Sequence, residues 1–238
     1  MKTITILLLL AIGLTAMAQT TPTVDLLWSA NTYTPPFYAG HTIATANSQI
    51  RVIALVNWPG KKSGDLNFSW QKAGQALSKS SGPGKDVLTF NSGNVGEKNQ
   101  IALIVSDGSG TRIQQTVNIA VTNPAISFYQ NDPLLGVNYG RAIGDTLTLT
   151  QPEINLLAEP YFFTLSDVQN KKLTYDWQLD GKKVVPDASD NRFITFAAPS
   201  GTKGENTITL ALKNLSNVFQ DASDQFGIQF GLGQDFNF

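Results

Sequence analysis

The 238-residue chain contains no cysteine. That excludes disulfide stapling, thiolate catalysis, thiolate metal sites and a lipid anchor on cysteine, so stability must come from packed cores. Two domains of about 100 residues each are large enough to bury such cores without staples. Histidine is almost as scarce, with His41 alone. One histidine cannot supply the three or four ligands of a zinc site, and a Ser/His/Asp triad built on it would have no Gly-x-Ser-x-Gly elbow beside it. His41 therefore reads as an exposed loop residue, and no metal or organic cofactor is expected. Charged residues are sparse at 15%, with a net charge of −1. So small an imbalance gives no attraction to nucleic acid or to an acidic membrane face. Thr, Ser, Asn, Gln and Gly supply the polarity instead, the mix of an extracellular β-protein.

Long apolar runs are missing as well, with one exception at the start. Lys2, the apolar residues 4–15 and the small residues Ala16-Met17-Ala18 read as a cleaved secretory signal, residues 1–18. The run falls short of the roughly 20 residues a bilayer span needs, and no later segment approaches that length. The expectation is an exported chain beginning at Gln19, extracellular, at the cell surface or periplasmic, with no transmembrane segment in its mature part.

What the chain does contain is a repeat. Leu66-Asn67-Phe68-Ser69-Trp70-Gln71-Lys72-Ala73-Gly74 returns 107 residues later as Leu173-Thr174-Tyr175-Asp176-Trp177-Gln178-Leu179-Asp180-Gly181. Farther on, Leu88-Thr89-Phe90 matches Ile194-Thr195-Phe196, and Ile101, Leu103, Val105 and Asp107 match Ile208, Leu210, Leu212 and Asn214. Alternating apolar runs separated by turn signals, such as Asp107-Gly108-Ser109-Gly110, predict short strands rather than helices. The predicted fold is all-β: two tandem Ig-like (PKD-like) β-sandwiches after the cleaved signal peptide. They cover residues 19–122 and 125–232, joined by Asn123-Pro124, with residues 233–238 as a tail and 214–224 as a polar connection before the last strand. Trp70 and Trp177 belong at the two cores, where an indole supplies a large apolar body. Pro160 places its strand at an edge or a bulge. The paired prolines of Tyr33-Thr34-Pro35-Pro36-Phe37-Tyr38 forbid helix and central strand, leaving an extended connection across the end of the first sandwich. Residues 132–140 form the matching connection of the second copy.

Trp70 with its flanks, and Asn99-Gln100-Ile101-Ala102-Leu103-Ile104-Val105-Ser106-Asp107-Gly108-Ser109-Gly110, resemble the PKD-type and related bacterial Ig-like repeats, whose last two strands meet at an Asp-Gly-rich turn. After Gln19 the chain is also similar to exported proteins of candidate-phylum bacteria that carry the Tyr-Thr-Pro-Pro-Phe-Tyr and Glu-Pro-Tyr-Phe-Phe stretches. The resemblance implies tandem sandwiches. It does not imply calcium binding, because the acidic run that follows the tryptophan in PKD domains is Gln71-Lys72-Ala73-Gly74 here and Gln178-Leu179-Asp180-Gly181 in the second copy.

The leading candidate site is the aromatic set Tyr33, Phe37, Tyr38 and Trp58. Exposed rings stack on sugars or fill a partner's pocket, and Pro35-Pro36 would hold them extended at little entropic cost. The alternative is a plug for the open end of the sandwich, since Leu134, Leu135 and Tyr139 occupy the matching place in the second copy. Phe226, Ile228 and Phe230 alternate as a last strand that either closes the second sandwich or is donated to another chain. Glu153 with Glu159, or Asp187 with Asp190, are the carboxylate pairs available for glycoside hydrolysis. Glu159 more simply bonds backbone groups left unpaired by Pro160, and Asp187 and Asp190 make an Asp/Asn-rich turn. The lysine pairs at 61–62, 171–172 and 182–183 guard sheet edges. The functional expectation is a secreted, non-enzymatic spacer, adhesion or assembly module that contacts surface proteins. A carbohydrate-binding module using the four aromatics comes second, and a hydrolase third.

Overall fold

A computed structural model describes residues 21–186, 189–198 and 203–231; the expected signal segment, Asp187, Leu232 and the tail lie outside them. Strands β1 (Thr23–Ala30), β2 (Ala44–Thr45), β3 (Gln49–Asn57), β4 (Asn67–Lys72), β5 (Gln75–Ala76), β6 (Gly82–Pro83), β7 (Val87–Asn91), β8 (Lys98–Ser106) and β9 (Arg112–Thr122) build the first sandwich. Its sheet β1-β3-β7 packs on the sheet β2-β9-β8-β4-β5, with β6 also paired to β4. The second sandwich comprises β10 (Ala125–Asp132), β11 (Gly136–Ala142), β12 (Thr146–Thr148), β13 (Glu153–Tyr161), β14 (Leu173–Leu179), β15 (Lys182–Val184), β16 (Phe193–Ala197), β17 (Gly204–Asn214) and β18 (Asp221–Phe230). Here the sheet β11-β10-β13-β16 packs on β12-β18-β17-β14-β15. The chain is thus two tandem Ig-like β-sandwiches, with one five-residue helix, α1 (Leu165–Gln169), between β13 and β14.

Period-two patterning explains the strands. Along β8, Asn99, Ile101, Leu103 and Val105 point inward while their neighbours face out. The duplication persists to the level of single bonds. Trp70 and Trp177 are fully buried, and each indole Nε1 donates to a carbonyl on the opposite sheet's approach, Lys85 at 2.8 Å and Asn191 at 2.9 Å. Each tryptophan strand then turns through two residues with positive φ, Ala73-Gly74 (49°, 78°) and Asp180-Gly181 (49°, 74°). Such a pair matches the right-handed twist of a tight hairpin, and the glycine takes its φ without steric cost.

Three expectations change, and the last strand takes the closing role of its two readings. Residues 136–142 are not an irregular connection but strand β11, hydrogen-bonded to β10. The polar connection before the last strand shrinks to residues 215–220, because β18 begins at Asp221. Phe226, Ile228 and Phe230 are buried in the second core, and their strand pairs with β17 and β12, so its backbone is already occupied within the chain. Pro160 sits in the central strand β13, at a level where β16 has ended and no ladder partner needs its missing N–H. Among the described residues no helix is long and apolar enough to cross a membrane.

Candidate functional site

β13 sends Ile154, Leu156 and Ala158 into the second core, so Asn155, Leu157, Glu159 and Tyr161 face outward. Leu157 and Glu159 are nevertheless buried, Glu159 to 1% exposure. The cover comes from the first sandwich. Residues 31–43, between β1 and β2, run across the end of the second sheet and add a short ladder to it. Tyr33 N–H donates to the Phe163 carbonyl and Phe162 N–H to the Tyr33 carbonyl, both at 2.7 Å, and Leu165 N–H donates to the Asn31 carbonyl at 3.2 Å. Tyr38 packs edge-on against Tyr161 and Phe162, with ring centroids 5.6 and 5.8 Å apart.

A second contact sits beside this ladder. Gln220, fully buried, donates from Nε2 to Thr45 Oγ1 and to the Ala46 carbonyl, both at 3.0 Å. Its Oε1 accepts from Thr164 N–H at 2.9 Å and from Asn214 Nδ2 at 3.0 Å. Thr45 Oγ1 donates onward to the Phe162 carbonyl at 2.8 Å, and Asn217 Nδ2 to the Ala46 carbonyl at 2.8 Å. Every polar atom of the glutamine side chain is used, which is what lets an uncharged amide stay buried between two sandwiches.

Glu159 is the centre of the covered face. Its Oε2 accepts from Tyr33 Oη at 2.9 Å and its Oε1 from Tyr139 Oη at 2.8 Å, with Arg192 Nη1 3.7 Å from Oε2. Arg192 is held in turn by Asp190, through Nη2 at 2.7 Å and Nε at 3.1 Å. Tyr129 and Tyr161 share a 2.6 Å hydroxyl bond, and Tyr129 packs on Tyr139. Tyr175 lines the same cleft as Tyr33 and Arg192, a cavity of about 360 Å³ that also holds Lys171 and Asp190. All six tyrosines of the chain lie in this cluster or directly on it.

Burial, and then the hydrogen bond to Glu159, push the Tyr139 phenol up to about 12. Burial likewise drives Tyr33, Tyr161 and Tyr175 upward, with the Glu159 charge adding to the effect on Tyr33. The hydrogen bonds that Arg192 donates to Asp190 raise it further above its ordinary value. Burial opposes ionisation of Asp190, but the bonds and charge of Arg192 outweigh it and the net shift is downward. Asp190 therefore stays charged and paired with Arg192, while these phenols keep their protons.

The sequence candidates divide between different places. Tyr33 and Tyr38 are part of the cover, on the second sandwich rather than plugging the first. Trp58 is buried in the first core and does not join them. Phe37 is 90% exposed, with its ring 6.3 Å from Tyr139. It takes φ 67° at the third position of a turn closed by Tyr38 N–H to the Pro35 carbonyl, a place that normally calls for glycine. Glu159 bonds tyrosine hydroxyls, not backbone freed by Pro160, since that backbone needs no rescue. Glu153 lies six residues up the same strand, about 20 Å away, far beyond the spacing of a hydrolytic pair. Asp190 is committed to Arg192, and Asp187 lies outside the described residues. His41 stacks edge-on against Trp28. Lys182 and Lys183 stand on the edge strand β15, and Lys183 pairs with Asp176 at 3.2 Å on the surface. Among the described residues no group of acidic or histidine side chains could hold a metal ion. Reading the sequence by segments missed Arg192, Tyr129, Tyr161 and Tyr175; the concentration of tyrosine after residue 128, against none between Tyr38 and there, was the available signal.

No family model matches the chain, and no curated protein is similar to it. Among solved structures, the three N-terminal domains of the bacteriophage RB49 highly immunogenic outer capsid protein align over 88% of this chain, at 14% identity and a TM-score of 0.45. The chain spans 59% of that structure. The fibronectin(III)-like modules of Clostridium thermocellum CbhA align over 86% of this chain and 94% of theirs, at 12% identity and 0.30. The N-terminal Ig1-2 module of the Drosophila receptor protein tyrosine phosphatase DLAR aligns over 87% and 98%, at 8% identity and 0.29.

Proposed function

We propose that the chain is an exported, non-catalytic surface module that works through protein–protein contacts, with its two sandwiches locked into one stiff unit. The observation behind this reading is the covered face: ladder bonds, a buried glutamine and a tyrosine-bonded carboxylate all cross between the sandwiches. A two-residue linker alone would leave such sandwiches free to swing. A unit that spends this much polar chemistry on fixing an angle suits a spacer or an adhesion element, where geometry must be transmitted. Glu159, the most buried acid among the described residues, is sealed by two phenols and a guanidinium and is in no position to meet a substrate.

The test is a retention assay. The purified chain, immobilised, is challenged with surface extracts treated with either protease or periodate. Retention abolished by protease and kept after periodate is the expected result; release of sugar from any polysaccharide sinks the reading. Phe37 supports a second reading, glycan stacking, because a strained turn holds its ring out in solvent beside Tyr139. Periodate-sensitive retention that disappears in Phe37→Ala would favour it.

A further inference from the structure

The outer sheets of the two sandwiches correspond in register. Val52 pairs with Leu88 as Leu156 pairs with Ile194, so Leu55 occupies the place of Glu159 and Ile53 that of Leu157. Ala54 N–H donates to the Asp86 carbonyl at 2.8 Å as Ala158 N–H donates to that of Arg192 at 2.9 Å, so Asp86 stands where Arg192 does. Leu27, opposite Ile53, corresponds to Tyr129, opposite Leu157. In the second sandwich this outer face is covered by the connection that follows the first strand of the preceding sandwich. In the first sandwich it is bare among the described residues: Leu27 is 55% and Leu55 51% exposed. Beside them is a hollow of about 340 Å³ lined by Asp25, Leu55, Asn57, Ser63 and Asp86.

The segment that covers has a counterpart by sequence position in the second sandwich, folded there as β11 against β10 and not crossing to a neighbour. Residues 133–145 of the second sandwich hold the sequence position of residues 31–43 in the first, but no sandwich follows them among the described residues. Their tip presents Leu134 and Leu135 at 93% and 89% exposure. The tip is not slack, since Asp132 Oδ1 accepts from Leu134 N–H at 2.8 Å and Leu135 N–H at 3.0 Å. Arg141, exposed farther along β11, supplies positive charge to match Asp25 and Asp86.

We infer that the outer face of β1-β3-β7 docks the β10–β11 hairpin of a second copy of this chain, head to tail. Each copy then carries one acceptor face and one donor hairpin tip that are exposed among the described residues, at positions equivalent to the face and the segment that meet within the chain. The match is one of position and of polarity, leucine to leucine and Arg141 to the two aspartates. Acceptor and donor are different surfaces, so the contact is heterologous and does not close on itself; it extends into a string. This deepens the proposed protein-contact function by naming the partner.

Sedimentation equilibrium on the mature chain tests it. Association should grow past the dimer as concentration rises into the range of about 100 µM, where weak interfaces populate. Leu27→Lys with Leu55→Lys, or Leu134→Asp with Leu135→Asp, should each weaken it by about tenfold or more. All four sites are exposed, and an unchanged circular dichroism melt establishes that the variants fold. Mixing the two variants should give a 1:1 complex and nothing larger, since each retains the surface the other has lost. A chain monomeric throughout that range, a variant that assembles like the parent, or a mixture that fails to pair overturns the inference. A monomer that still retains protease-sensitive partners leaves the proposed function standing; glycan retention alone overturns that function instead.

Discussion

Leu55 and Glu159 occupy one strand position in two copies of the same sandwich, yet one is half exposed and the other sealed. Their neighbours along the strands differ little, and the cores behind them are built alike around Trp70 and Trp177. The difference arises from what stands in front: nothing described before Leu55, and before Glu159 residues 31–43 of the preceding sandwich together with Tyr139 and Arg192 of its own. Duplication kept the inward-facing half of each strand, where shape is fixed by close packing. The outward-facing half was left free to answer to whatever neighbour each copy had. A buried carboxylate is tolerated at Glu159 because Tyr139 and Arg192 of its own sandwich and Tyr33 of the neighbour all bind or pair with it.

If the cores are equivalent, Trp70→Ala and Trp177→Ala should cost alike, about 3–5 kcal/mol each, in denaturant unfolding. A loss confined to one of them would break the equivalence. The faces should then separate: Glu159→Ala leaves two phenols without their acceptor and should cost about 3 kcal/mol, whereas Leu55→Ala on an exposed face should stay within about 1 kcal/mol. Equal costs at the two sites would mean that the cover does not bear on stability. Tyr33→Phe removes one charge-assisted bond across the junction and should cost about 2 kcal/mol, with the sandwiches then reorienting in solution scattering while each keeps its own melt.

Alkaline pH sharpens the contrast without mutation. The folded Tyr139 holds its proton up to about 12, so above its ordinary value near 10 the unfolded chain loses protons that the folded one keeps. Stability contributed by the tyrosine cluster is complete below pH 10 and falls as pH rises through the folded value. The second sandwich and the junction should loosen first, followed by phenolate absorbance, while the first sandwich body, which holds no tyrosine between residues 39 and 122, should not respond. The smallest effect belongs to Phe37→Gly, which relieves a positive φ worth about 1 kcal/mol and gives up one distant ring contact, leaving the melting temperature almost unchanged.

The sandwiches were legible in the sequence because their signals are local. Alternation in residues 98–106, the two-residue turns at 73–74 and 180–181, and the recurrence of a tryptophan strand each need only a short window. The covered face was not legible in that way. Tyr33 and Glu159 are 126 residues apart, and their contact depends on the angle between two folded bodies. The prolines at 35–36 announced an extended segment without saying where it lands, so its rings read as free or as a plug for the wrong sandwich. Trp58 was grouped with them as an aromatic in a turn-rich loop, although it directly follows β3 and packs into the first core. β11 was hidden for a related reason: Gly136 and Gly140 argue against a strand in isolation, and pairing with β10 overrides that preference.

One short parallel pairing closes each sandwich: Ala44–Thr45 beside Val121–Thr122 in the first, and Thr146–Thr148 beside Gly227–Gln229 in the second. Tension drawn through Thr21 at one end and Gly231 at the other would strip β1 and then load these patches lengthwise, so that their hydrogen bonds break together and not one after another. With two residue pairs against three, the first sandwich is the weaker link, and stretched molecules should lengthen there while the second still holds its shape.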